Sequence, residues 1–240
     1  MSERVTTTSV PIEGDDAGRT IARIDIDDGK ANALSVDMIA DIRAAITQAE
    51  ADPGCVAAVL VGREGRFSAG FDLSVMAAGD MGAVTTMVAD GGDLVRHLYG
   101  ARIPVVAACT GHALAAGALM LLGCDVRIGA DGPFKVGLNE VAIGMTLPGW
   151  AYTICRERLS NRHLQRSLPT ARITDPAGAV DVGFLDLVVP ADELIETAMA
   201  EAASLSALDK PSYARMLQEF RGDALIAMAD QISADRARAS

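Results

Sequence analysis

Two glycine-rich segments carry the clearest chemical signal in this sequence. Residues 65–73 read Gly-Arg-Phe-Ser-Ala-Gly-Phe-Asp-Leu and follow an apolar run at residues 56–61. Residues 111–117 read Gly-His-Ala-Leu-Ala-Ala-Gly and follow an apolar run at residues 105–109. Each apolar run predicts a strand, and each glycine-rich segment is predicted to be the turn that ends it, with free backbone N–H groups. Two such groups directed at one point can stabilise a carbonyl oxygen that gains negative charge, so the pair predicts an oxyanion hole.

The elements that must position these segments alternate between apolar strands and amphipathic helices. Ser35 is a suitable N-cap for a helix over residues 36–51, and Gly91-Gly92 interrupts a second helical pattern. The predicted strands span residues 19–27, 56–61, 105–109 and 125–130, and further helices span 84–98 and 114–122. A mobile connector is predicted between residues 74 and 82. The alternation predicts an α/β architecture. A doubly wound nucleotide-binding fold would alternate in the same way, although no G-x-G-x-x-G follows a predicted strand.

The last seventy residues have their own pattern. Residues 171–189 predict a turn, a short helix with Pro176 in its first turn and a stop at Gly183, and then a strand. Everything from residue 191 to residue 240 is predicted to be helical, with breaks at 210–211 and 221–222. One helical stripe here is apolar: Leu194, Ile195, Ala198, Met199, Ala202 and Leu205. This stripe either folds back on the chain's own core or packs against another subunit.

Composition excludes several classes of protein. The chain has 240 residues, half of them hydrophobic, and a formal charge of −11 at pH 7. The acidic balance argues against a nucleic-acid partner, because such proteins need a basic face, but a few local cations could still hold an anionic ligand. No apolar stretch approaches the roughly 20 residues that span a bilayer, and residues 1–5 do not resemble a leader. We expect one domain with a helical appendage, although the length also permits two small domains, and we expect a cytoplasmic protein without a membrane partner.

Neither cysteine nor histidine spacing predicts a metal site. The three histidines are scattered, and the cysteines form no C-x-x-C pair. We expect no metal, and we expect four buried free thiols: Cys55, Cys109, Cys124 and Cys155.

The two glycine-rich segments resemble the signature loops of the crotonase superfamily, which is also called the enoyl-CoA hydratase/isomerase family. Residues 138–150 and 171–189 resemble two further segments of that family. The resemblance implies a crotonase-like (ClpP/crotonase) spiral of ββα units over residues 1–190 and a C-terminal helical trimerisation region over residues 191–240. It also implies an enzyme of fatty-acid metabolism that takes an acyl-CoA thioester as substrate, needs no other cofactor, and forms a homotrimer or a dimer of trimers.

The resemblance also implies catalytic roles. Matching the motifs residue by residue places the two oxyanion-hole donors at the Phe71 and Ala116 N–H groups and the catalytic carboxylate at Glu140. We expect this carboxylate to be poorly solvated, because apolar residues surround it in sequence: Leu138, Val141, Ile143 and Met145.

Leu119 occupies the position of a second glutamate that hydratases of this family use to hold the attacking water. Leucine cannot bind or activate water, whereas a double-bond shift needs only one base. The sequence is therefore nearest to single-glutamate enoyl-CoA isomerases. Hydratase activity remains open if another acid, such as Asp72, can substitute, and so does a non-catalytic acyl-CoA-binding protein.

The same resemblance implies a set of residues that contact the acyl-CoA: Lys30, Ala31, Ala33, Ala69, Asp72, Leu73, Ala115, Leu119, Asn139 and Trp150. Three of these have a simpler alternative. Lys30, like nearby Arg63 and Arg66, could be solvated surface, Asp72 could cap its own loop, and Trp150 could be core packing.

Overall fold

Strands and helices alternate through residues 4–237, the part of the chain that the computed structural model describes. Residues 1–3, which belong to the segment examined for a leader, and residues 238–240, the end of the predicted helical tail, lie outside the described residues. The strands are β1 (Val5–Pro11), β2 (Thr20–Ile26), β3 (Ala33–Leu34), β4 (Cys55–Gly62), β5 (Gly65–Ser68), β6 (Gly70–Phe71), β7 (Val105–Cys109), β8 (Gly111–Leu114), β9 (Val126–Ala130), β10 (Val136–Gly137) and β11 (Leu187–Val189). The helices are α1 (Val36–Ala51), α2 (Leu73–Ala77), α3 (Met81–Tyr99), α4 (Ala116–Gly123), α5 (Gly149–Arg158), α6 (Leu164–Ser167), α7 (Pro176–Val182), α8 (Leu194–Leu205) and α9 (Lys210–Ala237).

The strands form one large sheet and two small ones. The large sheet has the order β1-β2-β4-β7-β9-β11; β1 pairs antiparallel with β2, and the other neighbours pair in parallel. A second sheet has the order β10-β8-β5 and is entirely parallel, and β3 pairs with β6 in a third. Three central strands of the large sheet lead through short strands into a helix: β4 through β5 and β6 into α2, β7 through β8 into α4, and β9 through β10 into α5. This is the repeated ββα unit that the resemblance predicts.

Helices cover both faces of the large sheet. On strand β4, Ala58 and Leu60 face one core, together with α1, α3, α4 and α5, while Ala57, Val59 and Val61 face a second core beneath α8. Because both faces are buried, the strand is a continuous apolar run rather than an alternating one. The long helix α9 packs across α3 and α5.

Several local signals act as predicted. Ser35 caps α1 by accepting a hydrogen bond from Met38 N at 3.2 Å, and the helix spans residues 36–51 as expected. Pro176 begins α7, and Gly183 ends it with φ +101°, a conformation that favours glycine. The four cysteines are buried and free, as predicted.

One strand was missed, and three predictions about elements are wrong. Strand β1 precedes the first predicted element, and α2 lies where a mobile connector was expected. Helix α3 continues through Gly91-Gly92, and α9 continues through Arg221-Gly222. Both helices are held by packing along one face, which outweighs the low helix propensity of glycine.

The apolar stripe of α8 packs on its own chain. Leu194, Ala198 and Ala202 are buried against the large sheet, and Ile195, Met199 and Leu205 pack against the same core. This stripe therefore needs no second subunit, and the trimer and the domain division at residue 190 remain predictions. Within residues 4–237, no helix is both long and apolar enough to cross a membrane.

Candidate active site

Three neighbouring parallel strands, β5, β8 and β10, bring the predicted catalytic segments together. Gly65 of β5 lies beside Gly111 of β8, and Gly137 of β10 lies beside Leu114 of β8. Since parallel strands share a direction, their carboxyl ends emerge at one edge. The chain leaving that edge contains residues 69–71 after β5, residues 115–116 after β8 and residues 138–140 after β10. Phe71, Ala116 and Glu140 thus belong to three adjacent strand ends.

The two glycine-rich segments touch at Gly70. A side chain there would place its Cβ 2.8 Å from the Ala115 Cβ and 3.2 Å from the Ala116 nitrogen. A Cβ on Gly117 would in turn lie 2.7 Å from the Ser68 Cβ. Glycine at both positions permits this approach, and it places the Ala116 amide next to the backbone that leads into Phe71.

The turn before α4 is strained. Ala115 has φ +50° and ψ −126°, a region that non-glycine residues rarely enter. Its N–H donates to the Gly137 carbonyl at 3.0 Å, which ties the turn to β10. Among the described residues, no side chain caps the start of α4, where Ala116 is the first helical residue. Backbone strain of this kind concentrates at functional sites.

Two buried polar side chains hold the first glycine-rich segment, residues 65–73, in place. The sequence motifs predict a role for neither of them. The Asn32 Nδ2 donates to the Ile26 carbonyl at 2.7 Å and lies 3.3 Å from the carbonyl oxygens of Arg66 and Phe67. The Ser68 hydroxyl donates to the Asn32 carbonyl at 2.7 Å. Asn32 also has φ +51°, and asparagine is one of the few residues that tolerates this conformation. The sequence Asp-Asp-Gly-Lys-Ala-Asn signals the turn but not these contacts.

Glu140 is half-buried, and one oxygen of its carboxylate lacks a hydrogen-bond partner among the described residues. Its Oε2 atom is shielded from solvent, and no group in residues 4–237 forms a hydrogen bond with it. Burial raises the pKa of Glu140 above the ordinary value of a glutamate. Burial raises the pKa of the Cys155 thiol, and the Glu140 carboxylate raises it further.

The surroundings of Glu140 differ in part from those predicted. Leu138 is buried, but Val141 and Ile143 are 50% and 51% exposed and do not shield the carboxylate. They belong to a short 3-10 helix that ends at Gly144 and turns them outward. The Asn139 side-chain oxygen is buried and, within the described chain, also lacks a hydrogen-bond donor. Met145, the remaining predicted neighbour, is half-buried, so the predicted apolar surroundings are present only in part.

The other predicted contact residues divide into buried and exposed groups. Leu119 and Trp150 are completely covered within the main core, whereas Leu73 is 63% exposed at the start of α2. Asp72 caps α2 by accepting hydrogen bonds from the Ser74 N–H at 2.9 Å and the Ser74 hydroxyl at 2.7 Å. The loop-capping interpretation of Asp72 is thus confirmed, and the position of Trp150 fits core packing.

Lys30 lies at the far end of β5 from the predicted oxyanion hole. With Arg63, Arg66 and His112 it lines a surface cavity of about 370 Å³. Burial and the cations of Arg66 and Lys135 lower the pKa of His112. Glu64 also lines the cavity, and Arg63 forms an ion pair with Asp27 at 3.2 Å, so three cations lie here beside two carboxylates. The link of this cavity to the first segment is direct, because the Ala69 N–H donates to the Ala31 carbonyl at 3.0 Å and Ala33 pairs with Gly70.

Comparisons with known proteins agree on one family. The family profile described as "Enoyl-CoA hydratase/isomerase" matches residues 16–238. Human mitochondrial enoyl-CoA delta isomerase 1 is 31% identical over 204 residues, which cover 84% of this chain and 67% of the relative. The probable enoyl-CoA hydratase echA8 of Mycobacterium bovis is 33% identical over 189 residues, which cover 78% of this chain and 72% of the relative.

A solved structure extends the agreement to the whole fold. An enoyl-CoA hydratase/isomerase family protein from Pseudomonas syringae superposes with a TM-score of 0.90 at 36% identity. The match covers 100% of this chain and 99% of the neighbour, which confirms the predicted crotonase-like α/β fold. Profile, relatives and structural neighbour together show that the chain is an enzyme of the enoyl-CoA hydratase/isomerase family.

Proposed function

We propose that this enzyme is an enoyl-CoA isomerase that shifts the double bond of a 3-enoyl-CoA to position 2. The observation that carries the proposal is the meeting of three parallel strand ends, which bring one half-buried carboxylate to the same edge as two glycine-rich turns. Leu119 supports it, because the position where a second carboxylate would assist hydration holds a buried leucine instead.

In the proposed mechanism, Glu140 removes a proton from carbon 2 and returns it to carbon 4. The electrons of the broken C–H bond form an enolate whose charge moves onto the thioester oxygen. The N–H groups of Phe71 and Ala116 donate hydrogen bonds to that oxygen, and each such donor is worth about 3–4 kcal/mol in comparable enzymes. A raised pKa makes Glu140 a stronger base, because it binds the proton more tightly.

We propose that the CoA portion of the substrate binds at the cavity around Lys30. Coenzyme A carries phosphate groups, and Lys30, Arg63 and Arg66 supply cations in a chain of net charge −11. We propose that the CoA thioester is the substrate and that no separate cofactor takes part. The proposal includes a role in fatty-acid metabolism, a cytoplasmic location and a homotrimer or dimer of trimers.

The Glu140→Gln variant tests the proposed base. Glutamine keeps the size of the side chain but cannot accept the proton, so we expect kcat for a 3-enoyl-CoA to fall by about 10²- to 10⁴-fold. The measurement is the rate of 2-enoyl-CoA formation by absorbance, with Glu193→Gln, an exposed glutamate in front of α8, as the matched control. Equal rates for Glu140→Gln and wild type would remove Glu140 as the base.

Hydration of a 2-enoyl-CoA is the second candidate, because one relative is a probable enoyl-CoA hydratase. A hydratase needs a group to hold the attacking water, and Leu119 cannot do so. If the enzyme is an isomerase, Leu119→Glu should raise hydration at least about tenfold from a rate near background. A substantial hydration rate in wild type that rises less than about threefold in Leu119→Glu would favour the hydratase. Tight acyl-CoA binding with neither reaction would indicate a non-catalytic binding protein.

A further inference from the structure

Helix α3 contains two adjacent glycines at its centre, and both are buried. Glycine in a helix interior destabilises it by about 1 kcal/mol relative to alanine, so a pair of glycines in an unbroken helix of 19 residues needs a structural reason. The reason lies in what packs against each of them.

The ring of Phe71 lies directly on Gly91. A Cβ at Gly91 would come within 2.5 Å of the Phe71 Cζ and would also collide with Cε1, whereas ordinary contacts are 3.4–4 Å. Gly92 faces different neighbours: a Cβ there would lie 2.8 Å from the Trp150 Nε1 and 2.8 Å from the Ile232 Cγ1. The two glycines therefore accommodate separate aromatic rings, and only Gly91 accommodates Phe71.

Phe71 is held at three points. On one side, Gly70 is confined by Ala115 and the Leu114 carbonyl. On the other, the Asp72 N–H donates to the Leu34 carbonyl at 3.2 Å. The ring on Gly91 is the third point, and it joins the backbone through only two rotatable bonds. Any displacement of the ring that rotation about these two bonds does not absorb is transmitted to the Phe71 amide.

We infer that Gly91 is a positioning residue for the Phe71 N–H group. This inference rests on the proposed function of that group as an oxyanion-hole donor. An added methyl at Gly91 requires a shift of about 1 Å to restore ordinary contact, and a misplacement of that size can lower a rate by about 10²-fold.

The test compares Gly91→Ala in two backgrounds, wild type and Phe71→Leu. In wild type, Gly91→Ala should lower kcat by about 10- to 100-fold and change KM by less than about threefold, because the acyl-CoA contacts are retained. Leucine is too short to reach the Cζ position, so Gly91→Ala should change kcat by less than about threefold in the Phe71→Leu background. A merely structural role for Gly91 would not produce this split between kcat and KM or its dependence on Phe71.

Two alanine variants serve as controls. Gly92→Ala disturbs the same helix at the neighbouring residue but faces Trp150, so Phe71→Leu should not relieve its effect. Gly222→Ala lies in α9, where no atom of residues 4–237 beyond the adjacent residues and the helix's own backbone is within 4 Å of the added methyl, and it should leave kcat unchanged.

Each outcome decides the inference. A wild-type kcat in Gly91→Ala, or an equal loss in both backgrounds, overturns it. If Gly91→Ala does not fold, the double variant is compared with Phe71→Leu alone: similar kcat values support the inference, and a tenfold loss overturns it. The assay uses whichever reaction wild type catalyses. A wild type inactive on 3-enoyl-CoA and 2-enoyl-CoA would refute the proposed function itself. The contact between the Phe71 ring and Gly91 would then be tested by urea unfolding of wild type, Gly91→Ala, Phe71→Leu and the double variant.

Discussion

The Glu140 carboxylate is the most chemically informative single group, because burial leaves Oε2 without a hydrogen-bond partner in the described chain. Burial raises the pKa of Glu140, and it also raises the pKa of the buried Cys109 thiol, to about 12. A thiol with that pKa stays protonated and inert at neutral pH. A carboxylic acid starts from a much lower pKa, about 4.3 in an unstructured peptide, so Glu140 can still ionise and act as a base.

The raised pKa of Glu140 predicts the pH dependence of the rate. The base must be ionised, so kcat/KM should fall as pH drops through the folded-state pKa, with a midpoint above about 4.3. The measurement is a pH–rate profile of wild type with a 3-enoyl-CoA. A midpoint at or below 4.3 would contradict the predicted desolvation.

Stability should follow the same pKa with a defined sign. The folded state binds the Glu140 proton more tightly than the unfolded state, so the free energy of unfolding falls as pH rises from about 4.3 through the raised pKa. In Glu140→Gln this contribution disappears. The variant should therefore gain stability over wild type as pH rises through that window, which urea unfolding at several pH values would detect.

The role of a residue could be predicted where it depends on its neighbours in sequence. It could not be predicted where it depends on contacts with residues far away in the chain. The Asp72 cap follows from its neighbour Ser74, which lies two residues away. The buried contacts of Asn32 join it to carbonyls 34 and 35 residues later, and sequence spacing gives no sign of them. Val141 and Ile143 were predicted to shield Glu140 because they are apolar neighbours, but a short 3-10 helix turns them outward.

Among the helices, α9 has the most specific attachment to the core. Asp125, at the start of β9, accepts hydrogen bonds from the Val105 N–H at 2.8 Å, the Tyr213 hydroxyl at 3.0 Å and the Arg221 guanidinium at 2.9 Å. Arg221 also lies 4.4 Å from the centre of the Tyr99 ring. One carboxylate thus joins α9 to two strands of the large sheet.

Removal of that carboxylate should destabilise the protein strongly. Asp125→Ala leaves the buried Arg221 charge and the Tyr213 hydroxyl unpaired, so we expect the free energy of unfolding to fall by about 3–5 kcal/mol. Arg215→Ala is the matched control in the same helix, because it breaks an exposed ion pair with Glu219 and should cost less than about 1 kcal/mol. Equal losses in urea unfolding would show that Asp125 does not anchor α9.

Element types could be predicted where the periodic pattern is long, as in α1. The prediction fails where packing overrides propensity. Gly91 and Gly92 suggest a break in α3, yet they are the positions where the helix admits two rings. Strands β5 and β8 lie within the segments that were predicted to be glycine-rich turns, because four residues are too few to establish a period.

At the scale of the whole molecule, the order of strands decides which residues meet. The alternation of strands and helices predicts an α/β chain, but it also suits a doubly wound sheet. Only the resemblance to the crotonase superfamily predicted the spiral of ββα units. Glu140 lies about 70 residues from Phe71 in the chain, and only the parallel order β10-β8-β5 makes their segments neighbours. Pairing between distant strands leaves no local trace in composition or periodicity.

The ββα repeat distributes the proposed chemistry among three successive units of the chain. One unit supplies the first amide, a second supplies the other amide and Leu119, and a third leads into the base. A mutation confined to α4 could therefore alter the choice between proton transfer and water addition while the remaining two modules keep their geometry. With the proposed roles separated in this way, substitutions in one helix can change the reaction, in evolution or by design.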